Sequence, residues 1–365
     1  MNPEMNTLMP KHVHLRSVLS KLIQDGNWSK GQKLPSEAQL SSQYGVSRTT
    51  IIRAMRDMER DGLVTRRQGA GTFVSNDHTD RQTIGVLIPG LATDDIFLSV
   101  QRHIFRQSSR FNWQVLTGEV LLPGDNDAAG HAPVVAAKKL VQSGVSGVIM
   151  VPHHVDGQSE KCNESMLNVF SNAKLPVVLL DRDIYKAPHR SEYDLVSLDN
   201  SRAGFELGCH FIERGKKRLA YFGNPHAYPS THARISGVRK ALALQNLTLT
   251  EERVVEASEL EFSAMIKNIK AETVDGVICN SDHDAALFMR TCLKAGLAIP
   301  DQVSIAGFDN QPVARLLAVP LTTVAQPVQG LAIRAISTLQ DRITFPDVSQ
   351  ATIRIKGELI VRSST

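Results

Sequence analysis

The chain has 365 residues, 42% hydrophobic and 21% charged, an ordinary globular balance that argues against a disordered chain and leaves room for roughly two or three folded units. Its net charge of +4 is uneven: residues 11–74 hold eleven Lys/Arg against five Asp/Glu, a local +6 that leaves the rest of the chain at −2. A small basic head on a near-neutral body suits a nucleic-acid-binding module joined to something else, with a solvated basic face as the plain alternative.

In the head, Val13, Ser17, Val18, Leu22 and Ile23 recur at a period of about 3.6 and predict a first helix. Leu34-Pro35-Ser36-Glu37 starts a second helix, with Ser36 as its N-cap and Leu40 on its apolar face. Gly45-Val46 makes a tight turn. Ser47 then caps a third helix that carries Ile51, Ala54, Met55 and Met58 inward and stops at Gly62. Leu63 to Thr65 and Gly71 to Val74 read as two short strands joined by a basic, glycine-containing tip. Residues 75–82, SNDHTDRQ, are polar without an aliphatic side chain and predict a linker.

From residue 83 the texture changes. Apolar runs alternate with helical patterns: TIGVLIP at 83–89, WQVLTG at 113–118, VSGVIMV at 145–151 and PVVLLD at 176–181. A second series follows, with DLVSLD at 194–199, RLAYFG at 218–223, VDGVICN at 274–280 and QVSIAGFD at 302–309. Continuous Val/Ile/Leu runs suit strands covered by helices on both faces, as in a parallel sheet, and two such series predict two similar α/β lobes. A helix near 327–344 and a strand near 351–361 close the chain.

Chemistry in the head centres on the third helix and the hairpin tip. A helix that starts with small and polar residues can enter a major groove, where arginine pairs bidentately with guanine. Ser47, Arg48, Thr49 and Thr50 occupy that first turn, and Arg53 lies a turn further on. Ser36, Arg66, Arg67 and the tip residues Gln68 and Gly69 are candidates for phosphates or the minor groove. Taken singly, an arginine on a helix is usually just a solvated side chain. Jointly, LPSE at 34–37, GVSR at 45–48, DGLV at 61–64 and RQGAGTFV at 67–74 closely resemble, in order and spacing, the GntR family of bacterial winged helix-turn-helix regulators. Two positions depart from that family: Ala38 stands where an arginine is frequent, and Ile52 where a second recognition-helix arginine falls, with Arg53 beside it. One residue turns a side chain by about 100° around a helix, so Arg53 is a weaker candidate than Arg48.

In open α/β sheets, ligands sit outside the carboxyl ends of the strands. Asp181 and Asp309 end strands, Asp282 follows the strand ending at Asn280, and Arg234 begins a helix with Ser230 four residues before it. Carboxylates that accept paired hydrogen bonds and a guanidinium that donates in a planar fork suit the vicinal hydroxyls of a sugar. The alternative is that such aspartates cap the next helix or turn. Phe97, after the first strand, stacks on a ring face or fills core. His153, His154 and His283 lack a metal-ligand spacing and read as surface or ligand-contact residues.

Residues 83–365 resemble the periplasmic-binding-protein-like sensor of the LacI family. The carriers are IGVLIP, VVLLD, SLDNSRAG at 197–204, HFIERGKKRLAYFG at 210–223, HARISGVRKAL at 232–242, VSIAGFDN at 303–310, PLTTVAQP at 320–327 and the ending LIVRSST. The resemblance implies ligand contacts at Asp181, Ser230, Arg234, Asp282 and Asp309, with Gln326 as a lesser one. The whole arrangement resembles the AraR-type GntR/LacI hybrid regulators. It implies a winged helix-turn-helix over 1–74, a linker over 75–82, and a two-lobed, parallel-sheet α/β domain of periplasmic-binding-protein type I over 83–365, for effector binding and dimerisation.

No nucleophile elbow, P-loop or HExxH pattern is present, so no catalytic residue, metal or cofactor is expected. Cys162, Cys209, Cys279 and Cys292 form no disulfide framework, and neither an apolar leader nor a membrane-length apolar run is present. The expected protein is therefore a bacterial, cytoplasmic, nucleoid-associated homodimer that represses carbohydrate genes from operator DNA and responds to a sugar. Alternatives are a purine or other metabolite as effector, activation rather than repression, a sugar-metabolising enzyme, and a secreted sugar-binding protein.

Overall fold

The computed structural model describes residues 11–24, 26–29, 31–60, 62–67, 70–75, 82–89, 95–120, 131–153, 157–185, 189–223 and 229–365. The chain divides into two units, 1–81 and 82–365.

In the first unit, helices α1 (Lys11–Gln24), α2 (Glu37–Tyr44) and α3 (Arg48–Arg60) precede a hairpin of β1 (Val64–Arg67) and β2 (Gly71–Val74). The hairpin is antiparallel, with Val64 opposite Val74 and Arg66 opposite Thr72, and Lys33 bridges to Phe73 beside it. Ile51, Ala54, Met55 and Met58 turn one face of α3 into a core shared with Leu40 of α2 and Val64 and Val74 of the hairpin. That face is the one expected. On α1 the period is right but the phase differs: Leu15 and Leu19 are buried, whereas Ser17 is exposed and Val18 half-buried. The larger leucines one turn apart fill the core better than Ser17 and Val18 would.

The second unit holds two sheets. The first lobe contains β3 (Thr83–Pro89), α4 (Asp95–Ser108), β4 (Gln114–Val120), α5 (His131–Gln142), β5 (Gly147–Met150), α6 (Gly157–Asn172), β6 (Val177–Leu180) and β7 (Asp194–Leu198). The second contains α7 (Asn200–Glu213), β8 (Leu219–Phe222), α8 (Pro229–Ala243), β9 (Val254–Val255), α9 (Glu259–Lys270), β10 (Gly276–Cys279), α10 (Asp282–Lys294), β11 (Ser304–Asp309), α11 (Val313–Leu316) and β12 (Thr322–Ala325). The chain then returns to the first lobe with α12 (Val328–Thr344) and β13 (Thr352–Ile355) and ends in the second with β14 (Glu358–Ile360). The predicted closing strand is thus two strands in different sheets, broken at Lys356-Gly357.

The strand orders correspond: β13-β7-β6-β5-β3-β4 in one lobe and β14-β12-β11-β10-β8-β9 in the other. Within these two sheets every described pair is parallel except β14 with β12. Strand β6 thus stands where β11 does, and β5 where β10 does. Between the lobes the chain crosses at Leu198–Asn200, Ala325–Val328 and Ile355–Glu358, each time leaving a strand at its carboxyl end. The carboxyl edges of both sheets therefore meet at the crossings. Gly357 lies where they touch: a Cβ there would come within 3.0 Å of the Ala325 carbonyl oxygen and of Leu198 Cδ1. A hydrogen bond from Asp199 N–H to the Ile355 carbonyl (2.8 Å) ties two of the crossings together.

Two features set the cores. Leu331, Ala332, Ala335, Ile336 and Leu339 of α12 pack on β3, β5, β6 and α4, so the far end of the chain covers the first sheet. Its last turn is pinned by Arg342, whose Nε and Nη2 donate to the buried Asp194 carboxylate at 2.9 and 3.1 Å. In the second lobe α7 and α8 meet backbone to backbone. A Cβ on Gly204 would lie 2.0 Å from the Arg234 carbonyl oxygen, and one on Gly237 2.1 Å from that of Ser201. Rigid helix backbone cannot retreat from such contacts as a flexible side chain would. Gly204→Ala should therefore lower the stability of the second unit by about 1–3 kcal/mol or more, read as a lower urea midpoint. An unchanged midpoint would mean that the two helices can separate freely.

Candidate functional site: nucleic-acid interface and ligand cleft

In the head, two helix starts are tightly capped. Ser36 accepts from Gln39 N–H at 3.3 Å, while Gln39 Oε1 accepts from Ser36 N–H at 2.8 Å, a reciprocal capping box. Ser47 Oγ accepts from Thr50 N–H at 3.2 Å and lies 2.8 and 2.7 Å from the hydroxyls of Thr49 and Thr50. These serines thus first fix the backbone, and the Ser47–Thr49–Thr50 cluster stays at the surface. Arg48 is the open cation of that turn, its side chain 71% exposed, with Nε 3.7 Å from Glu37 Oε2. Glu37 also lies 3.4 Å from Arg66 Nη2, and Arg66 Nε lies 3.5 Å from Glu59. Exposed pairs of this kind contribute only about 0–1 kcal/mol, so a phosphate or base can displace Glu37 at little cost. Glu37 draws the start of α3 and strand β1 to one surface, a role that the LPSE pattern did not reveal. Arg53 is exposed, and the Arg67 guanidinium lies 4.8 Å over the Phe73 ring. Gln68 and Gly69 lie outside the described residues.

Every described ligand candidate of the second unit sits at a strand's carboxyl end or on the helix that follows it. Two strand ends turn through left-handed aspartates, Asp181 after β6 (φ 73°) and Asp309 closing β11 (φ 104°), at corresponding places in the two lobes. Non-glycine residues with this backbone are uncommon, and such strain gathers at functional sites. Asp309 Oδ1 accepts from Gln326 Nε2 at 2.7 Å, so these two candidates meet.

Arg234 is buried on α8, one turn after the half-buried Ser230. Its Nε donates to Asn200 Oδ1 (2.8 Å) and its Nη1 to the Asn280 carbonyl (2.7 Å), and the guanidinium lies 4.2 Å from the Phe308 ring centroid. Asn280 is itself held by Tyr221 Oη (3.2 Å) and Thr231 Oγ1 (3.0 Å). Asn200 and Asn280 were missed by sequence reasoning. The signal available was an asparagine at the end of an apolar strand.

Asp282 behaves differently from the other aspartates. It is 0% exposed; Thr323 Oγ1 donates to one oxygen at 2.6 Å and Gln311 N–H to the other at 2.7 Å. Ser281, not Asp282, caps α10. Asp282 thus fixes the Asp309–Gln311 turn from below. Burial, with the nearby Asp309 charge adding to it, pushes its pKa up to about 7. Arg362 approaches the same turn, its Nη2 donating to Asn310 Oδ1 at 2.6 Å.

In the first lobe, Asp181 Oδ2 accepts from Arg182 Nε at 2.9 Å, and the Arg182 guanidinium stands 5.6 Å from the Phe97 ring centroid. Phe97 both packs against the core and offers a ring face, so its two readings coexist. His153 is buried beside them, and burial together with Arg182 lowers its pKa to about 4. His283 is exposed, and His154 lies outside the described residues. Among the described residues no group of three His, Cys, Asp or Glu could hold a metal, and no helix is long and apolar enough to cross a membrane.

Comparison with known proteins gives the same two parts. Residues 13–74 match the family described as bacterial regulatory proteins, gntR family, and residues 209–365 match the periplasmic binding protein-like domain. The arabinose metabolism transcriptional repressor of Geobacillus stearothermophilus is 26% identical over 372 residues, covering 98% of each chain. The solved transcriptional regulator CelR–cellobiose complex matches with a TM-score of 0.66 at 20% identity, over 91% of this chain and 100% of its own. The lac repressor dimer bound to operator and the anti-inducer ONPF matches with a TM-score of 0.64 at 18% identity, over 79% and 95%. Likeness at these identities fixes the fold: a gntR-type winged helix-turn-helix and a two-lobed, parallel-sheet periplasmic-binding-protein-like domain.

The raised pKa of Asp282 gives a pH test. A folded-state value near 7, against an ordinary 3.8, favours folding below the ordinary value. That contribution is lost as the pH rises through about 7. Asp282→Asn removes the term, so its melting temperature relative to the parent should rise between pH 5 and pH 8, roughly the two sides of the transition. Parallel melting curves at the two pH values would rule out the buried, proton-binding carboxyl.

Proposed function

We propose that the chain is a DNA-binding transcription repressor of carbohydrate-utilisation genes, a gntR-type head controlled by a periplasmic-binding-protein-like sensor that binds an uncharged sugar. The observation that carries this reading is the joint presence of two surfaces. One is a capped α3 presenting Arg48 beside a basic hairpin; the other is the strand carboxyl ends of the two lobes, which carry Asp181 and the hydrogen-bonded pair Asp309 and Gln326, with Arg234 on the helix that follows β8. The named relative acts in arabinose metabolism, and a structural neighbour was solved with cellobiose, which favours a sugar over other metabolites.

Ser47, Arg48, Thr49, Thr50 and Arg53 read bases, while Ser36, Arg66, Arg67, Gln68 and Gly69 hold phosphates or the minor groove. Phe97, Asp181, Ser230, Arg234, Asp282, Asp309 and Gln326 form the sugar site, Asp282 by holding the Asp309 turn. The protein acts as a homodimer in the bacterial cytoplasm, because one small winged helix reads too few bases and a two-fold operator matches a two-fold protein. The three crossings between the lobes act as the hinge. Sugar bound to both carboxyl edges favours the closed lobes, and residues 75–82 pass that bias to the head. The two lobe arrangements need to differ in sugar affinity by about 1–3 kcal/mol for this coupling to work.

Two variants separate the surfaces. Arg48→Ala should abolish specific operator binding in gel shift and leave the sugar-induced thermal shift intact. Arg234→Lys keeps the charge but loses the planar fork, so it should weaken sugar binding by about tenfold or more and leave operator affinity unchanged. Retained specific binding by the first, or a parental sugar response in the second, would overturn the corresponding assignment.

A further inference from the structure

The two lobes share a strand order, and this correspondence exposes an unfilled position. His153 stands three residues past Met150, the last residue of β5; Asp282 stands three residues past Cys279, the last residue of the corresponding β10. Asp282 accepts two hydrogen bonds from its own lobe. His153 is just as deeply placed, 4% exposed, yet its Nε2 is buried and finds no partner among the described residues.

The ring is held there deliberately by its backbone. His153 N–H donates to Asn163 Oδ1 at 2.9 Å, and Asn163 Nδ2 donates back to the His153 carbonyl at 3.4 Å. Asn163 is fully buried on α6, so the amide clamp fixes the residue and not merely the strand end. The charge of Arg182 reaches the ring; Arg182 pairs with Asp181, and Phe97 lies under its guanidinium. Burial and the Arg182 charge keep the imidazole neutral near pH 7, so it carries one N–H and one lone pair. A buried polar atom without a partner destabilises a fold, and native structures retain very few.

We propose that His153 is a first-lobe contact for the sugar, its Nε2 making a hydrogen bond to a hydroxyl of the bound molecule beside Asp181 and Arg182. The inference rests on the sugar-sensor reading above and names a contact that this reading did not include. A hydroxyl suits this nitrogen because it both donates and accepts, and so satisfies either tautomer of a neutral ring. The missing bond is then made only on binding, when the lobes close on the sugar. A substitution that removes the orphaned atom should thus act in opposite directions on the free and the bound protein.

The test uses the full chain with L-arabinose, D-ribose, D-xylose and cellobiose as probes, followed by calorimetry and thermal melting. His153→Leu is expected to raise the melting temperature of the sugar-free protein while weakening binding of the responsive sugar by about tenfold. His153→Gln, which restores a polar end of similar reach, should recover part of the affinity. In the parent, the His153 ring nitrogen resonance should shift on sugar addition. Parental affinity in His153→Leu, with Arg234→Lys defective, would overturn the His153 assignment and leave the sugar sensor standing. A structural water as the only partner would give that same result. Failure of every probe to shift the parent's melting temperature would overturn both.

Discussion

Each time the chain passes from one sheet to the other, it leaves a strand at its carboxyl end, and the remaining architecture follows from that constraint. The carboxyl edge of a parallel sheet is where loops carry side chains free of ladder hydrogen bonds. Bringing two such edges to the same three crossings makes one cleft from residues far apart in sequence. The packing at Gly357 keeps the crossings close, since any side chain there would strike the Ala325 carbonyl and Leu198. The opposed aspartates Asp181 and Asp309, both with left-handed backbone, then occupy matched places on facing walls.

The walls differ in how their polar groups are bonded. In the second lobe the polar groups bond one another: Arg234 through Asn200 and Asn280, Asp282 through Thr323 and Gln311, Asp309 through Gln326. That wall is preorganised, which lowers the ordering cost of binding. In the first lobe, Arg182 and Asp181 pair over Phe97, and the buried His153 Nε2 has no hydrogen-bond partner among the described residues. Under the proposed sugar-sensor reading, unequal walls favour an ordered sequence in which one lobe captures and the other completes the contacts on closing.

Much of this was legible in the sequence. Eight apolar runs marked strands β3–β8, β10 and β11, because strands buried on both faces need continuous aliphatic stretches. Ser36 and Ser47 marked helix starts, because their hydroxyls replace missing backbone partners. The closing segment was misread as one strand. Its period of alternation is the same on both sides of Gly357, and nothing local tells which sheet receives it. Asp282 also looked like a free ligand group. Its burial depends on Thr323 and Gln311, whose proximity is a property of the folded sheet. Asn163, Asn200 and Asn280 were missed for the same reason: an asparagine clamp is defined by what it faces, and sequence gives only what adjoins it.

The position of α12 has a consequence for biosynthesis. The first lobe has its strands β3 to β7 early in the chain, yet its core lacks Leu331, Ala335, Ile336 and Leu339, and its edge lacks β13, until far later residues arrive. The gntR-type head, whose core is entirely local, has no such dependence. During translation the head can fold as soon as it leaves the ribosome, while the sensor remains an incomplete sheet with an uncovered apolar face. A nascent chain would therefore be able to touch DNA before it is able to sense sugar, and chaperone demand would concentrate on the interval between the two.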